Sequence, residues 1–320
     1  MTTKIIGTGS YLPEYVVTND DLAKLVDTSD EWIASRTGIR NRRIATNESG
    51  VDMAAAAAEN ALKDAGMDGS EIDLILVATC SSDFQFPSTA CLVQKAIHAT
   101  NAAAFDLSAA CSGFLFALHT AHAYIRAGIY KNILLVGVEE LSKLIDWNDR
   151  STCVLFGDGA GAAVVTAADH GLEGFVQWSD GVGGEVLTCP GRKMENPWKE
   201  NASEKEYIQM NGQEVFRFAV KKVPECIRQV TEKTGTQIET IDWFILHQAN
   251  SRIIQSVAKR LGVPEEKFPM NMERYGNTSA ASIPILLDEL NKKGMLQPGQ
   301  KIILSGFGAG LTWGAVQMEW

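Results

Sequence analysis

No two of the six cysteines (Cys80, Cys91, Cys111, Cys153, Cys189, Cys226) stand in a CxxC pair or a metal-finger spacing. That excludes a zinc ribbon and a dithiol-exchange motif. His119 and His122 lie three apart on a helical pattern, but no carboxylate stands at ligand spacing beside them, so no metal is expected. No apolar run approaches the ~18 residues of a membrane helix, so no membrane span is expected. The opening Met-Thr-Thr-Lys-Ile-Ile-Gly has no apolar leader core and reads as a strand. Positive charge is scarce: 29 Lys and Arg against 39 Asp and Glu give a formal net charge of −10. A general nucleic-acid-binding surface needs the opposite balance. The Gly-rich runs Gly157–Gly161 and Gly306–Gly310 are not GxGxxG and open no helix, so they are not dinucleotide fingerprints. Reduced, free thiols in the cytoplasm are the expected state.

What is present is a repeat. Asp73 begins Asp-Leu-Ile-Leu-Val-Ala, and Asp242 begins Asp-Trp-Phe-Ile-Leu-His, an offset of 242 − 73 = 169. The same offset pairs Gly66 with Gly235, and Ile133, Leu135 and Gly137 with Ile302, Leu304 and Gly306. An unshifted register over three elements marks a duplication. The halves are taken as residues 1–172 and 173–320. Each reads as strands alternating with helices, over 52–65, 113–127, 214–233, 251–261 and 282–293. That predicts an α/β protein with largely parallel, helix-covered sheets facing each other across a pseudo-twofold axis. The polar, Pro-containing stretch 191–203 reads as an exposed loop.

Sites in such folds form beyond the carboxyl ends of strands. Cys111 lies there, between a strand-like run and the helical pattern that starts at Phe114. On its residues alone it is either a buried structural thiol or a nucleophile favoured as thiolate by a helix start. His247 closes the run Trp243-Phe-Ile-Leu-His and reads as a core histidine or a catalytic one. Asn277 lies in Gly276-Asn-Thr-Ser-Ala-Ala, and the offset sets Ala280 opposite Cys111. Face-to-face halves can therefore bring Cys111, His247 and Asn277 together. Arg252, Lys259 and Arg260 share one helical face, with Arg217 on a preceding helix. They form either a solvated face or a docking patch for an acidic partner.

Together Gly7-Thr-Gly-Ser-Tyr-Leu-Pro13, Asp27–Ile33, Arg36-Thr-Gly-Ile-Arg40, Ala109-Ala-Cys-Ser-Gly-Phe114, Phe156–Ala162, His247-Gln-Ala-Asn250, Gly276–Ser282 and Gly306–Gly314 are highly specific. Over essentially its full length the chain resembles the β-ketoacyl-acyl-carrier-protein synthase III family, the initiating condensing enzymes of type II fatty-acid synthesis. The resemblance implies a thiolase-like fold, with mixed five-stranded sheets in αβαβα layering, and a homodimer. It implies a Cys111–His247–Asn277 triad and an oxyanion hole from the N–H groups of Cys111 and Ala309. Coenzyme A would be held by Thr28, Trp32, Arg36 and Arg150, with Trp32 and Arg150 flanking the adenine. Gly212, Phe216, Ala249 and Asn250 would line the pantetheine tunnel. Arg217, Arg252, Lys259 and Arg260 would dock acyl-carrier protein, and Phe86 would reach into the partner subunit's acyl pocket. A short acyl-CoA, acetyl-CoA first, and malonyl-acyl-carrier protein are the implied substrates, with no permanently bound cofactor. A related acyltransferase of a secondary pathway, and a Cys-His-Asn hydrolase of thioesters or amides, use the same residues and stay open here.

Overall fold

The computed structural model describes residues 1–191, 198 and 207–320. Five strands form one mixed sheet: β1 (Thr2–Tyr11), β2 (Leu74–Ala78), β3 (Ala103–Leu107), β4 (Asn132–Glu139) and β5 (Gly159–Ala168), in the order β1-β5-β4-β2-β3. Strands β2, β3 and β4 run parallel, and β5 runs antiparallel to β4 and β1. The other large sheet uses β6 (Leu172–Ser179), β7 (Trp243–Leu246), β8 (Lys301–Gly308) and β9 (Thr312–Glu319), in the order β7-β8-β9-β6. Its parallel pair β7–β8 and antiparallel pairs β8–β9 and β9–β6 repeat the first sheet's pattern.

The helices that matter for the site are α1 (Asp30–Thr37), α2 (Gly50–Ala65), α3 (Thr89–Ala96), α4 (Gly113–Arg126), α5 (Gly212–Thr234), α6 (Ser251–Leu261) and α7 (Ser282–Lys292). Strand alternation sorts the core into layers, as period-2 side chains require. Leu74 and Leu76 of β2 face a central layer with α4 and α7, while Ile75 and Val77 face α2 and α3. Ile302 and Leu304 of β8 join that central layer, and Ile303 and Phe307 pack with α5 and α6 on the far side. The result is the αβαβα order, with one helix from each half in the middle.

Helix ends repeat as well. Helices α2 and α5 stop at Gly66 (φ +65°) and Gly235 (φ +68°), a left-handed C-cap that glycine takes without steric cost. The α2 start at Gly50 precedes the expected 52, because Ser49 and Asp52 close a reciprocal capping box. Apart from Gly191 and Trp198, both exposed, the stretch expected as a loop over 191–203 lies outside the described residues.

The second sheet departs from the expectation: it has four strands among the described residues, not five. The counterpart of β3 by offset is 272–276, where Met272–Tyr275 forms a short helix. Pro264 and Pro269 precede it and lack the N–H a ladder uses. The buried Gln248 side chain links this segment to the sheet edge. It accepts from Asn271 N–H at 3.0 Å and donates to the carbonyl of Leu246, the last residue of β7, at 2.8 Å.

The halves meet backbone to backbone. A Cβ on Gly137 of β4 would fall inside contact distance of the Ala280 carbonyl oxygen. Its repeat mate Gly306 has more room, the nearest atoms being methyls of Ile283 and Leu115 at 3.4 Å. Gly137→Ala should therefore cost about 2–3 kcal/mol or more of unfolding free energy in urea titrations, and Gly306→Ala under about 1 kcal/mol. Equal losses would contradict this reading of the interface.

Candidate active site

Cys111 occupies a tight 3-10 turn, Ala110–Ser112, between β3 and α4. Ala110 holds φ +45°, a left-handed conformation costing a non-glycine residue about 1–3 kcal/mol. Its repeat mate Ser279 holds φ +48° in the turn Ser279–Ala281 before α7. Polar contacts brace the nucleophile turn against the other half. Ser112 Oγ lies 2.8 Å from both the Ala109 carbonyl oxygen and Thr312 Oγ1. Thr312 Oγ1 in turn lies 3.1 Å from the carbonyl oxygen of Ala109 and 3.0 Å from that of Ala309. A Cβ on Gly308 would sit 2.7 Å from Cys111 N, so a side chain there would displace the turn. Ala309 is outside the left-handed region, so alanine supplies its N–H there without that strain. Cys111 and Ala309 line one cavity.

Of the two sequence readings of Cys111, the fold weighs against a resting thiolate. Burial pushes the Cys111 thiol up to about 12; the Ser279 hydroxyl opposes that shift, and the Glu139 carboxylate adds to it. Desolvation of the anion outweighs the helix start. Glu139 is itself fully buried and raised by burial. It accepts from Ser81 Oγ at 2.6 Å, Cys80 N at 3.2 Å and Ser279 Oγ at 3.1 Å, tying the end of β2 to the Asn277 loop.

His247 and Asn277 line the same cavity as Cys111, about 230 Å³ in volume. His247 follows β7, and the Phe307 ring meets its imidazole edge to face at 5.3 Å. Burial lowers its pKa to about 3, so the ring is neutral at pH 7. Its Nδ1 lies 2.7 Å from Ser282 Oγ. The Asn277 side-chain oxygen accepts from Ser279 N–H at 2.9 Å, which leaves the amide NH₂ for the cavity. The pocket therefore presents a neutral imidazole and an amide donor beside a protonated thiol.

Two further cavities adjoin. One of about 330 Å³, lined by Cys80, Leu141, Phe156, Cys189 and Ala309, reaches the other side of Cys111. The other, about 1180 Å³, is the mouth, with Trp32, Arg36, Arg217 and Arg252 on its rim. Gly212, Phe216, Ala249 and Asn250 all line the channel between mouth and thiol. Asn250 also caps α6, accepting from Arg252 N–H at 2.9 Å, and donates to the Arg36 carbonyl at 3.0 Å.

Other expected residues fall elsewhere. Arg150 lies over the Trp32 ring at 4.8 Å, as Arg36 does at 4.6 Å, and lines neither the channel nor the mouth. Thr28 is outside both linings, and its buried hydroxyl lacks a partner. Arg217 is ion-paired with Glu214 at 2.5 Å. Lys259 and Arg260 are exposed in the last turn of α6, about 10 Å along the axis from Arg252. Phe86 is 85% exposed and lines none of these three cavities. No group of His, Cys, Asp and Glu among the described residues could hold a metal ion, and no described helix is long and apolar enough to cross a membrane.

Sequence reasoning missed Ser282, Ser279, Gln248, Glu139 and Thr312. Ser279 and Ser282 carried a signal: they stand at the 169 offset from Ala110 and Gly113, inside the loop already singled out. Glu139 and Thr312 carried none, because each bonds groups that are remote in sequence, and some of those groups belong to the other half.

Residues 105–181 match the family model "3-Oxoacyl-[acyl-carrier-protein (ACP)] synthase III", and residues 231–320 match that synthase's C-terminal model. The β-ketoacyl-[acyl-carrier-protein] synthase III of Clostridium acetobutylicum is 53% identical over 100% of this chain and 99% of its own. The crystal structure of 3-oxoacyl-[acyl-carrier-protein] synthase III from Aquifex aeolicus has a TM-score of 0.93 at 48% identity, covering 99% of this chain and 100% of that one. The priming β-ketosynthase of the R1128 polyketide pathway also has a TM-score of 0.93, at 38% identity, covering 99% of this chain and 96% of that one.

A histidine held neutral by burial makes stability fall with acid. Between about pH 6.5 and pH 3 the unfolded ring binds a proton that the folded ring does not. That contribution is whole above pH 6.5 and lost as pH falls toward 3. His247→Gln should remove this part of the acid loss when urea unfolding is compared at pH 7 and pH 4. An unchanged difference would show that the ring is not held neutral.

Proposed function

The chain belongs to the β-ketoacyl-acyl-carrier-protein synthase III family, thiolase-fold condensing acyltransferases of fatty-acid biosynthesis, and on that premise we propose the route by which its own residues carry the reaction. The observation that carries the reading is the meeting of Cys111, His247 and Asn277 in one channel open to a basic mouth.

A short acyl-CoA, acetyl-CoA first, threads its pantetheine past Gly212, Phe216, Ala249 and Asn250, with its phosphates at Arg36 and its adenine against Trp32. Arg150 moves off the Trp32 ring to take the adenine's other face. The Cys111 sulfur bonds to the thioester carbonyl carbon, and the carbon–sulfur bond to CoA breaks. The Cys111 proton ends on the CoA thiol, which balances the step and means no resting thiolate is needed. The N–H groups of Cys111 and Ala309 bind the transient oxyanion, each such donor contributing about 3–4 kcal/mol in the transition state.

Malonyl-acyl-carrier protein then uses the same channel. Loss of CO₂ leaves an enolate on its thioester oxygen, to which His247 Nε2–H and the Asn277 amide donate. The enolate carbon attacks the acyl carbonyl on Cys111, giving a β-ketoacyl thioester and releasing Cys111 as thiolate, which takes a proton from water. A neutral His247 suits donation, whereas an imidazolium would also hold the malonyl carboxylate and oppose its loss. The hydrolase reading is set aside, since the family condenses. No permanently bound cofactor, a cytoplasmic location and a homodimer in which Phe86 enters the partner subunit's acyl pocket complete the proposal.

Intact-mass analysis with a panel of acyl-CoAs should show one acyl group on Cys111, discharged by malonyl-acyl-carrier protein as a β-ketoacyl product. Cys111→Ser should abolish loading. Asn277→Ala should cut decarboxylation by about a hundredfold while loading persists. Loss of loading with decarboxylation kept would reverse the assignment.

Docking is tested separately at the far end of α6. Lys259→Glu with Arg260→Glu should raise KM for malonyl-acyl-carrier protein about tenfold, and the rise should shrink in high salt. A KM that does not move would make this face an ordinary solvated one.

A further inference from the structure

We propose that Ser282 is a positioning residue: its hydroxyl donates to His247 Nδ1 and thereby fixes the proton on Nε2, the nitrogen that faces the channel. The inference rests on the reading of His247 as a donor to the enolate, and adds the group that makes it one.

A serine hydroxyl has one hydrogen and two lone pairs. Gln248 N–H donates to Ser282 Oγ at 3.3 Å, using one lone pair. Among the described residues the other polar partner of Oγ is His247 Nδ1, at 2.7 Å. Both side chains are buried, at 1% and 2% exposure, so water does not serve the hydroxyl. If Nδ1 carried the proton, the Ser282 hydrogen would have no acceptor, a costly omission in a buried group. With Ser282 donating, its hydroxyl and Nδ1 are both satisfied, and Nδ1 is the acceptor. The proton then sits on Nε2, where no described protein group takes it and where the channel lies.

The duplication supplies an independent argument. The offset of 169 carries His247 to Ala78 (247 − 169 = 78) and Ser282 to Gly113 (282 − 169 = 113). That pair also touches: a Cβ on Gly113 would lie 2.9 Å from the Ala78 Cβ. The scaffold thus brings the end of one strand against the first residue of one helix in each half. In the nucleophile half the two positions are Ala and Gly, with no polar atom in either side chain. In the other half they are His and Ser, joined by a hydrogen bond. The serine has been placed where the scaffold already guaranteed contact with the histidine.

The test uses the full-length protein labelled with ¹⁵N-histidine, with the His247 ring assigned by loss of its signals in His247→Gln. At pH 7 the wild-type ring should carry its proton on Nε2. Ser282→Ala should shift population to the Nδ1–H form. It should lower kcat for malonyl-carrier-protein decarboxylation by about ten- to a hundredfold, with little change in KM. Acyl loading of Cys111 should fall at least several-fold less. Ser282→Thr keeps the hydroxyl and should restore both the spectrum and most of kcat. A wild-type proton on Nδ1 overturns the proposal whether or not the variants fold. So does a Ser282→Ala protein with an unchanged spectrum and rate, or a folded Ser282→Thr that loses as much as Ser282→Ala. Should His247→Gln keep full decarboxylation while the wild-type ring is Nε2–H, the enolate-donor role fails and the Ser282 arrangement stands.

Discussion

Everything at the centre of this molecule depends on two turns being pressed together with almost nothing between them. The turn Ala110–Ser112 and its repeat Ser279–Ala281 cross at the interface of the halves. Gly137 admits the Ala280 carbonyl, Gly308 admits the Cys111 amide, and Gly113 admits the side chains of Ala78 and Ala280. Backbone contact this close leaves no room for side chains, so glycine and alanine dominate the seam. It also explains why two non-glycine residues, Ala110 and Ser279, are held left-handed. The surrounding contacts over-determine them, and the strain sits where the chemistry is.

Pressing the turns together buries the site's side chains, and burial sets their electrostatics. A buried thiol and a buried imidazole both resist charge, so Cys111 rests protonated and His247 rests neutral. The site therefore disfavours a resting thiolate–imidazolium pair of the kind a cysteine hydrolase uses. It is a neutral nucleophile beside neutral donors, and charge arises only during the reaction, where fixed donors stabilise it most. The buried Glu139 belongs to the same logic: its hydrogen bonds span both halves and hold the Asn277 loop in place.

Duplication then divided the work. One copy of the strand-end and turn positions reads Ala78, Ser108, Ala110, Cys111, Gly113; the other reads His247, Asn277, Ser279, Ala280, Ser282. Each half keeps small residues where the other supplies chemistry, so the two sets fit into one pocket without crowding. In the same region the second sheet has no fifth strand among the described residues, and the Gln248 side chain links the last residue of β7 to Asn271.

The sequence by itself settled the duplication, the α/β class, the family, and Cys111, His247 and Asn277 as the residues to watch. Each of those is written in local pattern or in a register repeated without a gap. It also located the channel residues Gly212, Phe216, Ala249 and Asn250, all of which line the cavity. Tertiary structure alone decided the protonation state of Cys111, because the helix-start argument is local and desolvation is a property of the whole fold. The four strands described in the second sheet were likewise hidden, since a short helix at the fifth position and a buried glutamine bonded to it leave no periodicity to read. So were Glu139 and Thr312, whose hydrogen bonds reach into both halves. Periodicity reports which face a residue turns to its own element; it cannot report what the other half of the molecule brings up against that face.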